Sequence, residues 1–216
     1  MSEIKRDYYK VLELGQSGKG KTYSFVNMNR DTTGFLNIEN KPLPFKGTFK
    51  YHDRPLKFQD AFATLIEYGK NPEIDAIVVD SQSAYFDMVL KEARLTKKNF
   101  DIWNMYNDEI AKFQDMIKRI PKEIFVTGHY ELLNIESSWE KRAKVQGKAL
   151  EGMVEKDYTM VVYADNKLVD KKFQYFFNLA MEGGSAKCPP DIFGEGIYQI
   201  PNDSKYILEK IIEFTK

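Results

Sequence analysis

The chain has 216 residues, with 32 Lys and Arg against 32 Asp and Glu, and this balance gives no long-range attraction for nucleic acid or anionic membranes. One cysteine, Cys188, and two histidines, His52 and His129, exclude a disulfide framework, a structural zinc site and a His-rich metal centre. The length suits a single α/β domain over residues 1–216, whose chemistry must come from carboxylates, lysines and hydroxyls.

The opening residues 1–10 are charged and tyrosine-rich without the apolar core of a signal peptide, and no later run approaches the roughly 18 apolar residues of a membrane span. A cytoplasmic protein with no membrane partner is expected. Residues 8–14 read as the first strand and run into Gly15-Gln16-Ser17-Gly18-Lys19-Gly20-Lys21-Thr22, the spacing of a phosphate-binding P-loop. Tyr23-Ser24-Phe25-Val26 continues as a helix. The glycines let backbone N–H groups turn inward around phosphates, and the helix start adds its positive dipole end. Lys21 is placed to reach the β and γ phosphates of ATP and the Thr22 hydroxyl to ligate Mg²⁺, with Gln16, Ser17, Lys19 and Tyr23 completing the nucleotide-binding segment.

A second strand, residues 34–39, ends in Glu39, a carboxylate able to orient or deprotonate water opposite the γ-phosphate; a solvated strand-end glutamate is the plain alternative. Phe58, Ala61, Phe62, Leu65 and Ile66 mark one apolar helix face. The strand over residues 75–80 ends in Asp80, either a Walker B ligand for Mg²⁺ or part of a helix cap with Ser81 or Ser83. The longest helix repeats Phe100, Trp103, Tyr106, Ile110, Phe113, Ile117 and Ile120 at spacings of three and four, which makes Phe100 and Trp103 core residues rather than base stackers. Residues 124–129 form a buried strand ending in His129, a structural residue or a third catalytic group beside Glu39 and Lys21. Strands over 158–164 and 173–181 flank Asp165-Asn166-Lys167, too short for a helix and therefore the turn of an antiparallel edge hairpin. A last helix follows Asn202 or Asp203 as its cap. This alternation predicts an α/β fold with a mostly parallel sheet flanked by helices.

The order of elements resembles the RecA-like P-loop ATPases. Phe35-Leu36-Asn37-Ile38-Glu39 is similar to their catalytic-glutamate strand, residues 75–81 to their Walker B strand, and residues 125–129 to the strand carrying their γ-phosphate sensor. The closer resemblance is to the small phage-type ATP-binding single-strand annealing proteins, through Thr127-Gly128-His129-Tyr130-Glu131, then Gly147-Lys148, then the strand over 158–163. It implies a Mg²⁺-dependent ATPase, located in the host cytoplasm if phage-encoded, that binds single-stranded DNA and promotes annealing and homologous recombination. It also implies a homo-oligomer and a replication or recombination protein as a further partner. DNA-facing segments then fall on Arg94, Lys97 and Lys98, and on Trp139, Lys141, Arg142, Lys144 and Lys148, stretches that are equally readable as solvated loops. Lys187 matches the position of a trans-acting finger, with a surface lysine as its alternative. His129 stands where RecA usually has Gln, and the chain has no room for RecA's polymerising regions, so long filaments are not implied. Two other functions fit the P-loop: an ATP-gated module that remodels a protein or loads a helicase, and a small-molecule kinase, against which Glu39 argues.

Overall fold

A computed structural model describes residues 7–135 and 137–216. Its frame is an eight-stranded sheet. The strands are β1 (Lys10–Leu14), β2 (Thr33–Asn37), β3 (Tyr51–Asp53), β4 (Ala76–Asp80), β5 (Glu123–Gly128), β8 (Met160–Val169), β9 (Lys172–Asn178) and β10 (Gln199–Pro201). They lie in the order β10-β9-β8-β1-β5-β4-β2-β3. Every neighbouring pair from β8 to β3 is parallel, and β9 and β10 add antiparallel at the other edge. β6 (Tyr130–Ile135) and β7 (Ser138–Ala143) form a separate antiparallel hairpin directly after β5.

The central strands are buried on both faces, which is why they read as unbroken apolar runs. Leu12, Leu36, Ile77, Val79, Ile124 and Val126 face one layer with the helices α1 (Phe58–Lys70), α2 (Gln82–Thr96) and α3 (Asp101–Arg119). Val11, Phe35, Val78, Phe125 and Val162 point the opposite way, towards Phe25, Ile207 and Ile211. The last two belong to α4 (Ser204–Phe214), capped by Asp203, whose side chain accepts from the N–H groups of Lys205 and Tyr206. The mostly parallel, helix-flanked sheet with an antiparallel edge hairpin expected from the sequence is the arrangement the structure has.

Four local expectations are corrected. The segment after the P-loop is a 3-10 helix, Thr22–Asn27, not an α-helix, with three-residue bonds such as Ser24 N–H to Lys21 O (3.3 Å) and Met28 N–H to Phe25 O (3.1 Å). The edge hairpin turns at Asp170 and Lys171, both at positive φ (48° and 61°), not at Asp165-Asn166-Lys167. Those three residues stay in β8, where Asp165 and Asn166 contact the P-loop. Phe100 precedes α3 and is 73% exposed, so its helical spacing does not bring it into the core. The stretch from Trp139 to Ala143 is strand β7 rather than loop, and Arg94 closes the last turn of α2.

Candidate active site

The P-loop begins where β1 ends, at the carboxyl edge of the parallel sheet, where ligands of such sheets bind. Gly18 and Gly20 adopt positive φ (77° and 89°), the conformation that turns backbone N–H groups inward and that side-chain-bearing residues resist. Lys21 is buried, and its ammonium donates to the carbonyls of Gly15 (2.7 Å) and Gln16 (3.1 Å). Burial lowers its pKa, opposed by the nearby charges of Asp80, Glu39 and Glu13.

Three strand ends bring the remaining groups to this cradle. Asp80, buried at the end of β4, accepts from Thr22 Oγ1 (2.9 Å) on one carboxylate oxygen and from Thr127 Oγ1 (2.5 Å) on the other. Burial raises its pKa, with both hydroxyls acting in the opposite sense. The N–H groups of Ile38 and Glu39 donate to the Asp80 carbonyl (2.7 and 3.1 Å), so strand pairing itself carries Glu39 alongside Asp80. The Glu39 carboxylate accepts from Ser81 Oγ (3.2 Å) and from Lys41 Nζ (2.6 Å). Its pKa is pushed up by burial, but Lys41 and Ser81 outweigh this and hold it below the usual range, leaving an ionised base at neutral pH.

His129 follows β5, and its backbone N–H donates to Ser83 Oγ (3.0 Å). Its ring Nδ1 lies 3.1 Å from the Gly15 carbonyl, an atom that only accepts, so Nδ1 carries the proton and Nε2 keeps the lone pair. Burial and then the Lys21 charge lower the His129 pKa, which keeps the ring neutral at pH 7. Lys21, Thr22, Glu39, Asp80 and His129 all line one cavity of about 490 Å³.

The oxygen donors suit Mg²⁺. Thr22 and Asp80 present one hydroxyl and one carboxylate side by side, and Mg²⁺ characteristically takes one or two such ligands and completes its shell with phosphate and water. No group of three or more His, Cys, Asp or Glu that could hold a metal ion occurs among the described residues. When bound, the ion neutralises charge on the phosphates. Glu39, two residues beyond β2, stands on the same edge with its carboxylate free of protons and able to take one from water.

A family profile described as an AAA domain matches residues 7–186. The chain belongs to the AAA domain family. An ATPase reading of the P-loop follows from that membership together with the fold. None of the curated proteins is similar enough in sequence to match. Among solved structures, a KaiC-like protein from the hyperthermophilic archaeon Pyrococcus horikoshii OT3 is similar over 79% of this chain and 77% of its own, with 12% identity and a TM-score of 0.48. In this AAA domain the match stops short of α4, which nonetheless reaches the site: Ser204 donates to Glu13 (2.6 Å) behind the P-loop.

That contact belongs to a set of residues not singled out in the sequence. Glu13 is fully buried on β1, accepts from Ser24 as well (3.0 Å), and is raised to about 8 by desolvation. Lys41 and Tyr175 also line the cavity, and Thr127, legible in the sequence only as the start of a strand motif, donates to Asp80. An acid inside an apolar strand was the one visible signal for Glu13; Tyr175 lies too far along the chain to have had one. Among the expected nucleotide-binding residues, Ser17 and Tyr23 line the cavity. Gln16 instead donates to the Tyr130 carbonyl (2.9 Å), and Lys19 pairs with Asp165 (2.7 Å) and Asn166 (3.0 Å).

The two basic segments meet. Arg94 and Gln146 line one depression on α2, and Lys144, Gln146 and His129 line the next, with Asp87 common to both. Trp139 is 64% exposed on β7, Lys141 lies over the Tyr130 ring (5.3 Å), and Arg142 is paired with Glu140 (2.5 Å). Lys97 and Lys98 are exposed in the loop after α2, and Lys148 is exposed after β7. Lys187 pairs through its backbone with Val161 in β8 and lines no part of the nucleotide cavity of its own chain. No helix among the described residues is long and apolar enough to cross a membrane.

Proposed function

We propose that this AAA domain is a Mg²⁺-dependent ATPase that binds single-stranded DNA and promotes annealing and homologous recombination. One observation carries the DNA half of this reading. The β6–β7 hairpin is joined to the P-loop at its first residue, through Gln16 to the Tyr130 carbonyl and through His129, one residue earlier, to the Gly15 carbonyl. When the Lys21 ammonium leaves the Gly15 and Gln16 carbonyls for phosphate, the change therefore falls on the two residues that hold a hairpin bearing an exposed Trp139 and Lys141. An aromatic ring beside a cation is the pairing that stacks unpaired bases and tracks their phosphates. The groove along α2 extends this surface to Arg94, with Lys97 and Lys98 beyond it. Lys187, remote from its own cavity, acts in trans on the neighbouring copy of a homo-oligomer.

The decisive experiment is ATP hydrolysis with and without a single-stranded oligonucleotide, in wild type and in Trp139→Ala. Stimulation by DNA that is lost in the Trp139 variant supports the reading. Hydrolysis indifferent to DNA at low salt removes it. The second reading, an ATP-gated module that remodels a protein or loads a helicase, is favoured by Glu131 and Glu140 on the same hairpin, since Glu140 neutralises Arg142. That reading predicts hydrolysis stimulated by a replication or recombination protein and not by DNA.

A further inference from the structure

The P-loop gives the cavity a direction. Thr22 turns its hydroxyl to Asp80, so the metal and the terminal phosphate belong at the end where Glu39, Asp80 and His129 stand. The ribose and base of a nucleotide must leave by the other end, beyond the next residue, Tyr23. What stands there is aromatic. Tyr23 and Tyr175, the latter on β9, both line the cavity, with ring centroids 6.4 Å apart and planes inclined by 37°. Phe45 packs edge-on against Tyr23, and Phe173 lies beside Tyr175 with its plane inclined by 44°, each at 6.4 Å between centroids.

Tyr175 is held in register with the phosphate cradle. A Cβ at Gly20 would lie 2.7 Å from Tyr175 Cδ1, so that ring rests directly on the P-loop, in space that only glycine leaves. Asn166, paired with Tyr175 across the hairpin, donates to the Gly18 carbonyl (3.1 Å), and the neighbouring Asp165 holds Lys19. A ring fixed by these contacts sits at a set distance from the phosphates, as a base tethered through ribose requires.

We propose that Tyr23 and Tyr175 form the base platform of this nucleotide site and hold a nucleobase by stacking, with little hydrogen-bonded readout. The proposal rests on the nucleotide reading of the P-loop and deepens it. Besides the two rings, the lining residues away from the acidic end are Ser17, Gly18, Pro42 and Pro44, which offer a single side-chain hydroxyl. Lys41 and Glu39, which also line the cavity, are bound to each other. Strong rejection of a wrong base requires buried donors and acceptors matched to its edge, whereas every base offers a π-face. The site therefore accepts ATP and GTP with similar affinity and the smaller pyrimidine triphosphates more weakly.

The test is calorimetric titration of the full chain, in Mg²⁺, with ATP, GTP, UTP and inorganic tripolyphosphate, comparing wild type with Tyr175→Ala and Tyr175→Phe. Tyr175→Ala should weaken ATP and GTP binding about tenfold or more, the loss of one stacking face. Tyr175→Phe should retain both, and tripolyphosphate should bind all three proteins equally. An equal loss for tripolyphosphate would make Tyr175 a support of the P-loop and overturn the proposal. So would ATP affinity unchanged in Tyr175→Ala, or a preference between ATP and GTP above about a hundredfold. Wild type that binds none of the four ligands would overturn the nucleotide reading of the P-loop as well.

Discussion

Buried lysines stand at opposite ends of the same sheet, and all of them donate to main-chain carbonyls. At the amino-terminal end Lys10 bonds to Ile120 O (2.7 Å) and Lys122 O (2.5 Å), while Lys122 bonds to Asn71 O (2.7 Å) and to Ile74 O. At the carboxyl end Lys21 bonds to Gly15 O and Gln16 O. Burial lowers the pKa of each, that of Lys10 to about 8. The local chemistry is nearly the same, and the surroundings separate the roles. Lys10 and Lys122 close turns below the sheet. Lys21 faces a cavity shared with Asp80 and Glu39, so its bonds can be exchanged for bonds to phosphate. A buried, hydrogen-bonded lysine is thus a structural staple or a cation open to an anion according to whether space lies beside it.

Substitutions at the two ends should separate cleanly. The largest effect is expected from Glu39→Gln, which removes the base while keeping its shape: turnover should fall by about 10²–10⁴-fold with ATP affinity retained, as steady-state kinetics and calorimetry would show. Lys21→Met should cut turnover by about 10²–10³-fold with little change in thermal stability, because the Gly15 and Gln16 carbonyls keep the His129 ring and the Lys19 N–H as donors. The mirror experiment is Lys10→Met. It should lower unfolding free energy by about 1–3 kcal/mol in urea titrations, by taking the ammonium donor from the Lys122 carbonyl and one of two donors from the Ile120 carbonyl, without changing turnover per folded molecule. Equal damage to turnover from Lys10→Met and Lys21→Met would erase the distinction between the two ends.

The smallest effect concerns Glu13. Its carboxyl is raised to about 8 from an ordinary 4.5, so between those values the folded chain binds more protons than the unfolded chain. Stability therefore falls as pH rises through that window, and it is fullest below 4.5. Glu13→Gln should flatten the slope of melting temperature against pH over this range, read by thermal denaturation at several pH values. A slope equal to wild type would mean that Glu13 is not the titrating group.

How far these features could be read from the sequence depended on how far apart their parts lie along the chain. The P-loop is a run of eight consecutive residues, and Glu39, Asp80 and His129 each end or follow an apolar strand, so pattern and position were enough to expect them on one edge, where the structure has them lining one cavity. Thr127 was legible as part of a strand motif but its bond to Asp80, 47 residues away, was not, and Glu13 was hidden because its partner Ser204 is 191 residues away. Tyr175 depends on the register of β8 against β9, which a turn placed at Asp165-Asn166-Lys167 shifts by several residues. Polar residues there looked like a turn because the P-loop contacts that keep them in the strand are invisible locally. Phe100 followed the helical spacing of α3 but lies just ahead of its first residue, where no facing element covers it.

The contacts that hold the P-loop have a consequence for ligand capture. Its backbone is pinned on one side by Gly128 O to Gly15 N (3.1 Å) and on the other by Asn166 to Gly18 O (3.1 Å). The ordering entropy of the loop is therefore spent during folding, and an incoming triphosphate meets a preorganised cradle. Only the side chains of Lys19 and Lys21 must change partners, a rearrangement on the timescale of rotamer hops rather than of loop refolding.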